Sequence, residues 1–309
     1  MASVSIVIPT LNRQTSLRRA LASATAQVVP EAIAVEVVVV DNSSDGTARG
    51  VTEEFANAGL PVRYVSEPHP GVANARNSGL RAANGAWIAF LDDDEEARPD
   101  WIAQLMETAQ ATGADAVFGP VAACAEQGAE MGALEGYFSR GIERPDGDDI
   151  TEFAAYLGTN NSMFSRERCF TDVDPFDTSL NETGGEDSLL LRRLVMRGRR
   201  FAWAANAGVV EWTPPRRLNW AYVCRRKFLS GQIRVFVQNM SAPGNIWQIA
   251  LWMAIGATQT VGGAAAAALL YPLDRTRALR ASATMYGGLG KVFWARRFRP
   301  RLYGSGLVS

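Results

Sequence analysis

Val35-Glu36-Val37-Val38-Val39-Val40-Asp41 is an almost unbroken apolar run that ends on a carboxylate. A half-exposed strand would alternate polar and apolar residues. A continuous β-branched run suits a central parallel strand covered on both faces. Further apolar runs occupy residues 4–8, 62–65, 87–91 and 116–118, and the segments between them are amphipathic. Strands alternating with helices build βαβ units, so residues 1–120 are predicted to form a doubly wound, mainly parallel α/β sheet flanked by helices. From 125 to 185 the pattern loosens into Gly-, Asp- and Glu-rich stretches, with a short apolar piece at Ser162-Met163-Phe164. A helix over 186–197 and a strand over 201–210 are predicted beyond it.

In sheets of this kind ligands bind beyond the C-terminal strand ends. Four predicted strands end in polar residues there: Pro9-Thr10-Leu11-Asn12-Arg13, Asp41-Asn42-Ser43, Glu67-Pro68-His69 and Asp92-Asp93-Asp94-Glu95-Glu96. The last is the densest. Consecutive carboxylates repel one another, and a divalent cation would relieve the repulsion. Read alone, the same run also fits a solvated acidic turn that caps the helix starting near Pro99.

Five segments, in order, resemble a family 2 glycosyltransferase of the GT-A fold. They are Ser5-Ile6-Val7-Ile8-Pro9-Thr10-Leu11-Asn12-Arg13, Val39-Val40-Asp41-Asn42-Ser43-Ser44-Asp45-Gly46-Thr47, Gly71-Val72-Ala73-Asn74-Ala75-Arg76-Asn77-Ser78-Gly79, Phe90-Leu91-Asp92-Asp93-Asp94 and Gly184-Gly185-Glu186-Asp187. The resemblance covers residues 3–215. It implies an inverting transferase that uses Mg²⁺ or Mn²⁺ and a nucleotide-sugar donor, expected to be a UDP-sugar. Asp92 and Asp94 are implied as the Asp-x-Asp pair, Asp94 as the direct metal ligand and Asp93 near the ribose. Pro9, Thr10, Asn12 and Arg13 would face the nucleotide, or form an ordinary strand-ending turn. Asp41 would accept the imide hydrogen of uracil, or cap the next helix, although Ser43, Ser44 or Asp45 could do that instead. Arg76 would reach base or phosphate as a fixed cation.

The resemblance also implies Asp187 as the general base, with Glu186 beside it at the acceptor. Gly184 and Gly185 would let the backbone approach a substrate closely. Both carboxylates also suit a helix N-terminus. Asn160 and Asn161 would contact sugar hydroxyls or serve as buried structural amides, while Glu95 and Glu96 are expected to be solvated or to complement a helix dipole. One departure is plain. Many relatives add a histidine metal ligand after the last strand, but His69 is the single histidine here and lies elsewhere. Glu211 would replace that ligand, or the aspartates and the diphosphate would suffice. Arg216 and Arg217 would then neutralise departing phosphates or face a membrane.

Charge divides the chain. Residues 1–214 hold 31 of the 32 acidic groups and 17 of the 31 basic ones, whereas residues 215–309 carry 14 basic groups against Asp274 alone. No charged residue occurs between 235 and 273, and 246–271 is long enough to cross a hydrocarbon core. Arginines flank it on both sides, whereas a single span carries its basic excess on one. A span, a hairpin lying in the interface and an Ala-rich core helix therefore stay open. An uncharged centre makes a poor phosphate-tracking surface, which argues against nucleic acid. Three widely spaced cysteines without a CxxC pair suit a reducing interior, and the N-terminus lacks the pattern of a signal peptide.

The expected organisation is thus a GT-A transferase domain at 1–215, with a nucleotide half at 1–120 and an acceptor half at 121–215. A basic, apolar helical extension at 216–309 would sit on the cytoplasmic face of a membrane. The expected acceptor is lipid-linked or a polysaccharide, and an oligomer is left open. The alternatives are a nucleotidyltransferase of related fold, whose Gly-rich basic loop is missing after the first strand, and an inactive transferase-like scaffold at a membrane.

Overall fold

The computed structural model describes residues 2–295 and residue 298; the remainder of the predicted 216–309 extension lies outside the described residues. In chain order, β1 (Ala2–Thr10) leads to α1 (Gln14–Thr25), β2 (Ile33–Asp41) to α2 (Arg49–Glu54) and β3 (Val62–Ser66) to α3 (Val72–Ala82). β4 (Trp87–Phe90) and β5 (Glu95–Ala97) precede α4 (Trp101–Thr112), then come β6 (Ala116–Phe118), β7 (Val121–Ala125), β8 (Ser162–Ser165) and the short α5 (Arg166–Cys169). α6 (Glu186–Met196), β9 (Phe201–Trp203) and β10 (Val209–Thr213) lead to three long helices, α7 (Trp220–Ser241), α8 (Ile246–Leu270) and α9 (Arg275–Val292).

The main sheet has the order β3-β2-β1-β4-β8-β6-β9. Its pairs are parallel except at β8, the apolar piece around Met163, which runs antiparallel to both β4 and β6. A smaller sheet has the order β5-β10-β7. The predicted strand over 201–210 is two strands in different sheets, because the chain turns between them where Ala207 N–H reaches the Ala204 carbonyl and Asp146 accepts from Ala205 N–H.

The chain divides into two compact units: Met1–Cys124, Ser139–Glu182 and Leu190–Trp212 form the first, and Ala125–Phe138, Thr183–Leu189 and Thr213–Ser309 the second. In the first, the pleat sends alternate residues to opposite faces. Ile6, Ile8, Val37 and Val39 pack with Leu17, Leu21, Trp101 and Leu105 on one side. Val7, Val38 and Val40 meet Ala73, Leu80, Phe90, Phe164 and Leu191 on the other. This explains the unbroken run in β2. Glu36, its exception, accepts from Ser5 and from the Asn84 N–H and pairs with Arg63, tying β1, β2 and β3 together near their start. The three cysteines are free.

α3 lies close to the sheet because Gly79 has no side chain. A Cβ there would come within 2.4 Å of Val7 Cγ1 and 3.2 Å of Val40 Cγ2. Gly79→Val should therefore push α3 outward and destabilise the protein by about 1–3 kcal/mol in urea unfolding, the usual cost of overpacking. An unchanged midpoint would contradict this packing.

Candidate active site

β1 and β4 are parallel neighbours with Val7 opposite Phe90, so their C-terminal ends open at one edge. The turn after β4 presents Asp92, Asp93 and Asp94, and the turn after β1 grips them. Thr10 Oγ1 donates to Asp93 Oδ2 at 2.7 Å, and one guanidinium nitrogen of Arg13 donates to both Asp93 Oδ1 and Asp94 Oδ2 at 3.0 Å. Arg76, buried on α3, brings a guanidinium nitrogen to 3.7 Å from Asp92 Oδ1 while its guanidinium lies over the Phe176 ring. The three carboxylates differ in access. The Asp92 side chain is 34% exposed and Asp94 14%, against 8% for Asp93. Burial, opposed by Arg13 and reinforced by Asp94 and Asp92, lifts the Asp93 carboxyl to about 6.

Glu95 and Glu96 are not solvated bystanders, which corrects the sequence expectation. Glu95 is 1% exposed; its Oε2 accepts the Asp92 N–H and its Oε1 accepts from Asn160 Nδ2, each at 2.9 Å. Burial, then the charges of Asp92 and Glu211, push its carboxyl well above the ordinary range. Glu96 accepts from Trp212 Nε1 at 3.0 Å. The reason is strand β5, whose pleat turns Glu95 and Ala97 inward and leaves Glu96 half-buried. β10 pairs with β5 so that Glu211 stands opposite Glu95, and the Trp212 N–H donates to the Asp94 carbonyl at 2.8 Å. Alternation of residues 95 to 97 was the signal that could have separated the two glutamates.

Among the described residues, no three Asp, Glu, His or Cys side chains converge closely enough to cage a metal by themselves. Mg²⁺ commonly takes one or two carboxylates and completes its shell with water and substrate phosphates. Asp92 and Asp94, the accessible members of a cluster whose buried members resist ionisation, fit that pattern.

Other predicted residues are placed as follows. Asp41 is fully buried at the end of β2, where its carboxylate accepts from Ser43 N–H, Ala48 N–H and the Tyr64 hydroxyl, at 3.0, 2.7 and 3.1 Å. Here it organises the turn into α2. Asn12 has φ +55° and accepts from the Thr47 hydroxyl, linking the turns after β1 and β2. Asn161 lies inside the protein: it accepts from Trp101 Nε1 and donates to the Pro120 and Ala207 carbonyls, which uses both amide hydrogens. Asn160 is held between Glu95 and Arg140. Asn42, passed over as a site residue, donates to the Glu67 and His69 carbonyls and accepts from Gly71 N–H, so it fixes the loop that launches α3 and Arg76. His69 pairs through Nδ1 with Glu67.

Gly185, Glu186 and Asp187 belong to the second unit. Gly184 and Gly185 have φ +72° and +95°, and a Cβ on Gly185 would come 2.9 Å from Ile233 Cγ2. Glu186 is buried, whereas Asp187 is half-buried and accepts from Ser188 N–H at 2.6 Å.

The parallel sheet with an acidic turn at its open edge and a small second sheet is a GT-A architecture, shared with solved structures. The mannosyltransferase PcManGT from Pyrobaculum calidifontis, in complex with GDP-Man and Mn²⁺, matches with a TM-score of 0.61 over 95% of this chain and 87% of that one, at 19% identity. S. aureus TarS 1-349 in complex with UDP-GlcNAc matches with a TM-score of 0.53 over 94% and 90%, at 15% identity. A family model described as glycosyl transferase family 2 matches residues 5–169. The succinoglycan biosynthesis protein ExoM of Rhizobium meliloti (strain 1021) is 32% identical over 243 residues, 77% of each chain. The glycosyltransferase AglE of Haloferax volcanii is 26% identical over 82% of this chain and 80% of that one. The chain belongs to glycosyl transferase family 2 and is a glycosyltransferase. The nucleotidyltransferase alternative is thereby overturned.

A carboxyl raised in the folded state holds its proton more tightly there than in the unfolded chain. Asp93 therefore costs nothing below its ordinary value of 3.8 and costs progressively more up to about pH 6. The full penalty is roughly 3 kcal/mol. Between pH 4 and 7 the urea stability of Asp93→Asn should rise relative to wild type by that order. A pH-independent difference would contradict the burial of this charge.

Proposed function

We propose that the chain is an inverting, divalent-metal-dependent glycosyltransferase that moves a sugar from a nucleotide-sugar donor, expected to be a UDP-sugar, to a hydroxyl of a lipid-linked or polysaccharide acceptor. The observation that carries this reading is the grip of Thr10 and Arg13 on the acidic turn at the open edge of a family 2 sheet. The likeness to ExoM, a succinoglycan biosynthesis protein, supports a polysaccharide product, and the Mn²⁺ of the mannosyltransferase complex supports a metal.

Asp94 and Asp92 would hold Mg²⁺ or Mn²⁺ with the donor diphosphate completing the shell, and the ion would stabilise charge on that diphosphate as it leaves; among the described residues no third acidic side chain, Glu211 included, converges with them. Arg13 and Arg76 add fixed positive charge beside the same carboxylates. Pro9, Thr10 and Asn12 shape the turn that faces the nucleotide. Asp93 braces that turn rather than reaching far from it, and Asp41 acts at the base through the loop it organises. Asp187 takes the proton of the acceptor hydroxyl as the acceptor oxygen bonds to the anomeric carbon; the bond to the diphosphate breaks on the opposite face, which inverts the centre. Glu186 and Asn160 shape the acceptor side, and Gly185 allows close approach of the backbone. The basic extension holds the enzyme on the cytoplasmic face of a membrane, where lipid-linked acceptors are presented.

Asp187→Ala should lose about 10²- to 10⁴-fold in kcat, the usual worth of a general base, while UDP with Mn²⁺ still raises its Tm. Asp94→Ala should lose turnover and the Mn²⁺-dependent part of that shift. Full turnover by Asp187→Ala would remove it as the base, and a GDP-sugar that stabilises more than its UDP counterpart would overturn the donor assignment.

A further inference from the structure

We propose that α8 lies in the plane of an anionic membrane surface, with one apolar stripe in the acyl boundary, and does not cross the bilayer. This deepens the membrane reading above and rests on it. Among the described residues α8 is the one helix long and apolar enough to span. It carries no charged residue and is apolar all round, so its sides differ in what covers them and not in polarity. Trp247, Leu251, Ala254, Val261 and Ala265, spaced three or four residues apart with Thr258 the one hydroxyl among them, form an exposed stripe. Trp247 is 82% exposed and Val261 71%. The opposite side is closed by α9: a Cβ on Gly256 would come 2.8 Å from the Gly288 carbonyl, and one on Gly263 2.8 Å from Met285 N. Small residues let these two backbones pack as an antiparallel pair, and among the described residues the outer stripe is left without a protein partner.

Charge decides between the two orientations. Lys291 of α9 is buried, and its Nζ donates to Gln259 Oε1 at 2.7 Å and to the Gly287 carbonyl at 3.4 Å. Gln259 stands near the middle of α8, between Ile246 and Leu270. A perpendicular α8 would therefore carry the Lys291 ammonium to mid-bilayer and put Arg234, which lies over the Trp252 ring, within the hydrocarbon as well. Intramembrane cations are costly and need anionic partners or water, whereas burial, then the like charges of Arg234 and Lys227, pull the Lys291 ammonium down to about 8. With α8 in plane, these groups all sit on the side turned away from lipid. Arg275, Arg277 and Arg280 of α9 and Arg225 and Arg226 of α7 are exposed and supply positive charge for lipid phosphates, although Arg277 also pairs with Asp274 at 3.3 Å and Arg226 donates to the Tyr137 carbonyl. A bilayer with anionic headgroups is therefore the occupant of the stripe, in preference to a second copy of this chain, which would bring the same cations against its own.

The test uses the full chain with Cys124→Ser and Cys224→Ser and one reporter at either end of α8, Pro243→Cys or Leu273→Cys. Sealed inverted inner-membrane vesicles from an expressing bacterial host are treated with a membrane-impermeant maleimide. Both reporters should label equally without detergent. Protection of one reporter until detergent is added would establish a span and overturn the proposal while leaving membrane contact intact. Recovery of the protein in the soluble fraction would overturn the membrane reading itself. With purified protein, binding to vesicles of phosphatidylcholine and phosphatidylglycerol should exceed binding to phosphatidylcholine alone. The double variant Trp247→Ser, Leu251→Ser should bind the mixed vesicles about tenfold or more weakly, since apolar insertion and charge act together. Undiminished binding by that variant, or equal binding to both vesicles, would overturn the stripe.

Discussion

The rest of the first unit depends on one constraint: three consecutive aspartates must be held at the end of β4 without flying apart. The adjacency of β1 and β4 meets it. Thr10 and Arg13 reach across from the next strand to Asp93, Arg13 shares a nitrogen with Asp94, and Arg76 closes on Asp92 from α3. Each of those donors requires its own scaffold. α3 can bring Arg76 close because Gly79 lets the helix sit on Val7, and the start of α3 is fixed by Asn42. Even the small sheet serves the acidic turn, since β10 brings the Trp212 N–H to the Asp94 carbonyl.

The site gathers more negative charge than its arginines cancel. Asp93 and Glu95 are both buried and both resist ionisation, while Asp92 and Asp94 stay accessible. The fold thus holds two inner carboxylates as braces and leaves two outer ones accessible. A cation arriving with a diphosphate would meet donors already spaced and oriented, so little conformational entropy would remain to be lost on binding.

Much of this was legible in the chain. The Val35 to Val40 run announced a covered strand, and the polar strand ends do share one edge of the sheet, because both follow from local pattern. Other features depend on partners distant in sequence. Glu95 and Glu96 look alike until β10 pairs with β5, 201–210 looks like one strand until its halves enter different sheets, and Asn161 becomes an internal bracket only where Trp101, Pro120 and Ala207 meet. The tail illustrates the same limit. Composition gave α8 its apolar character, but the glycine contacts with α9 and the seat of Lys291 against Gln259 supply the orientation argument.

The central claim is that the turn gripped by Thr10 and Arg13 binds a metal together with a nucleoside diphosphate. Water-proton relaxation by Mn²⁺ reads that directly, without relying on turnover. Adding UDP to protein and Mn²⁺ should produce a large relaxation enhancement in the wild type and in Asp187→Asn, and should lose it in Asp94→Asn. An enhancement that survives in Asp94→Asn, or that never depends on UDP, would contradict the account.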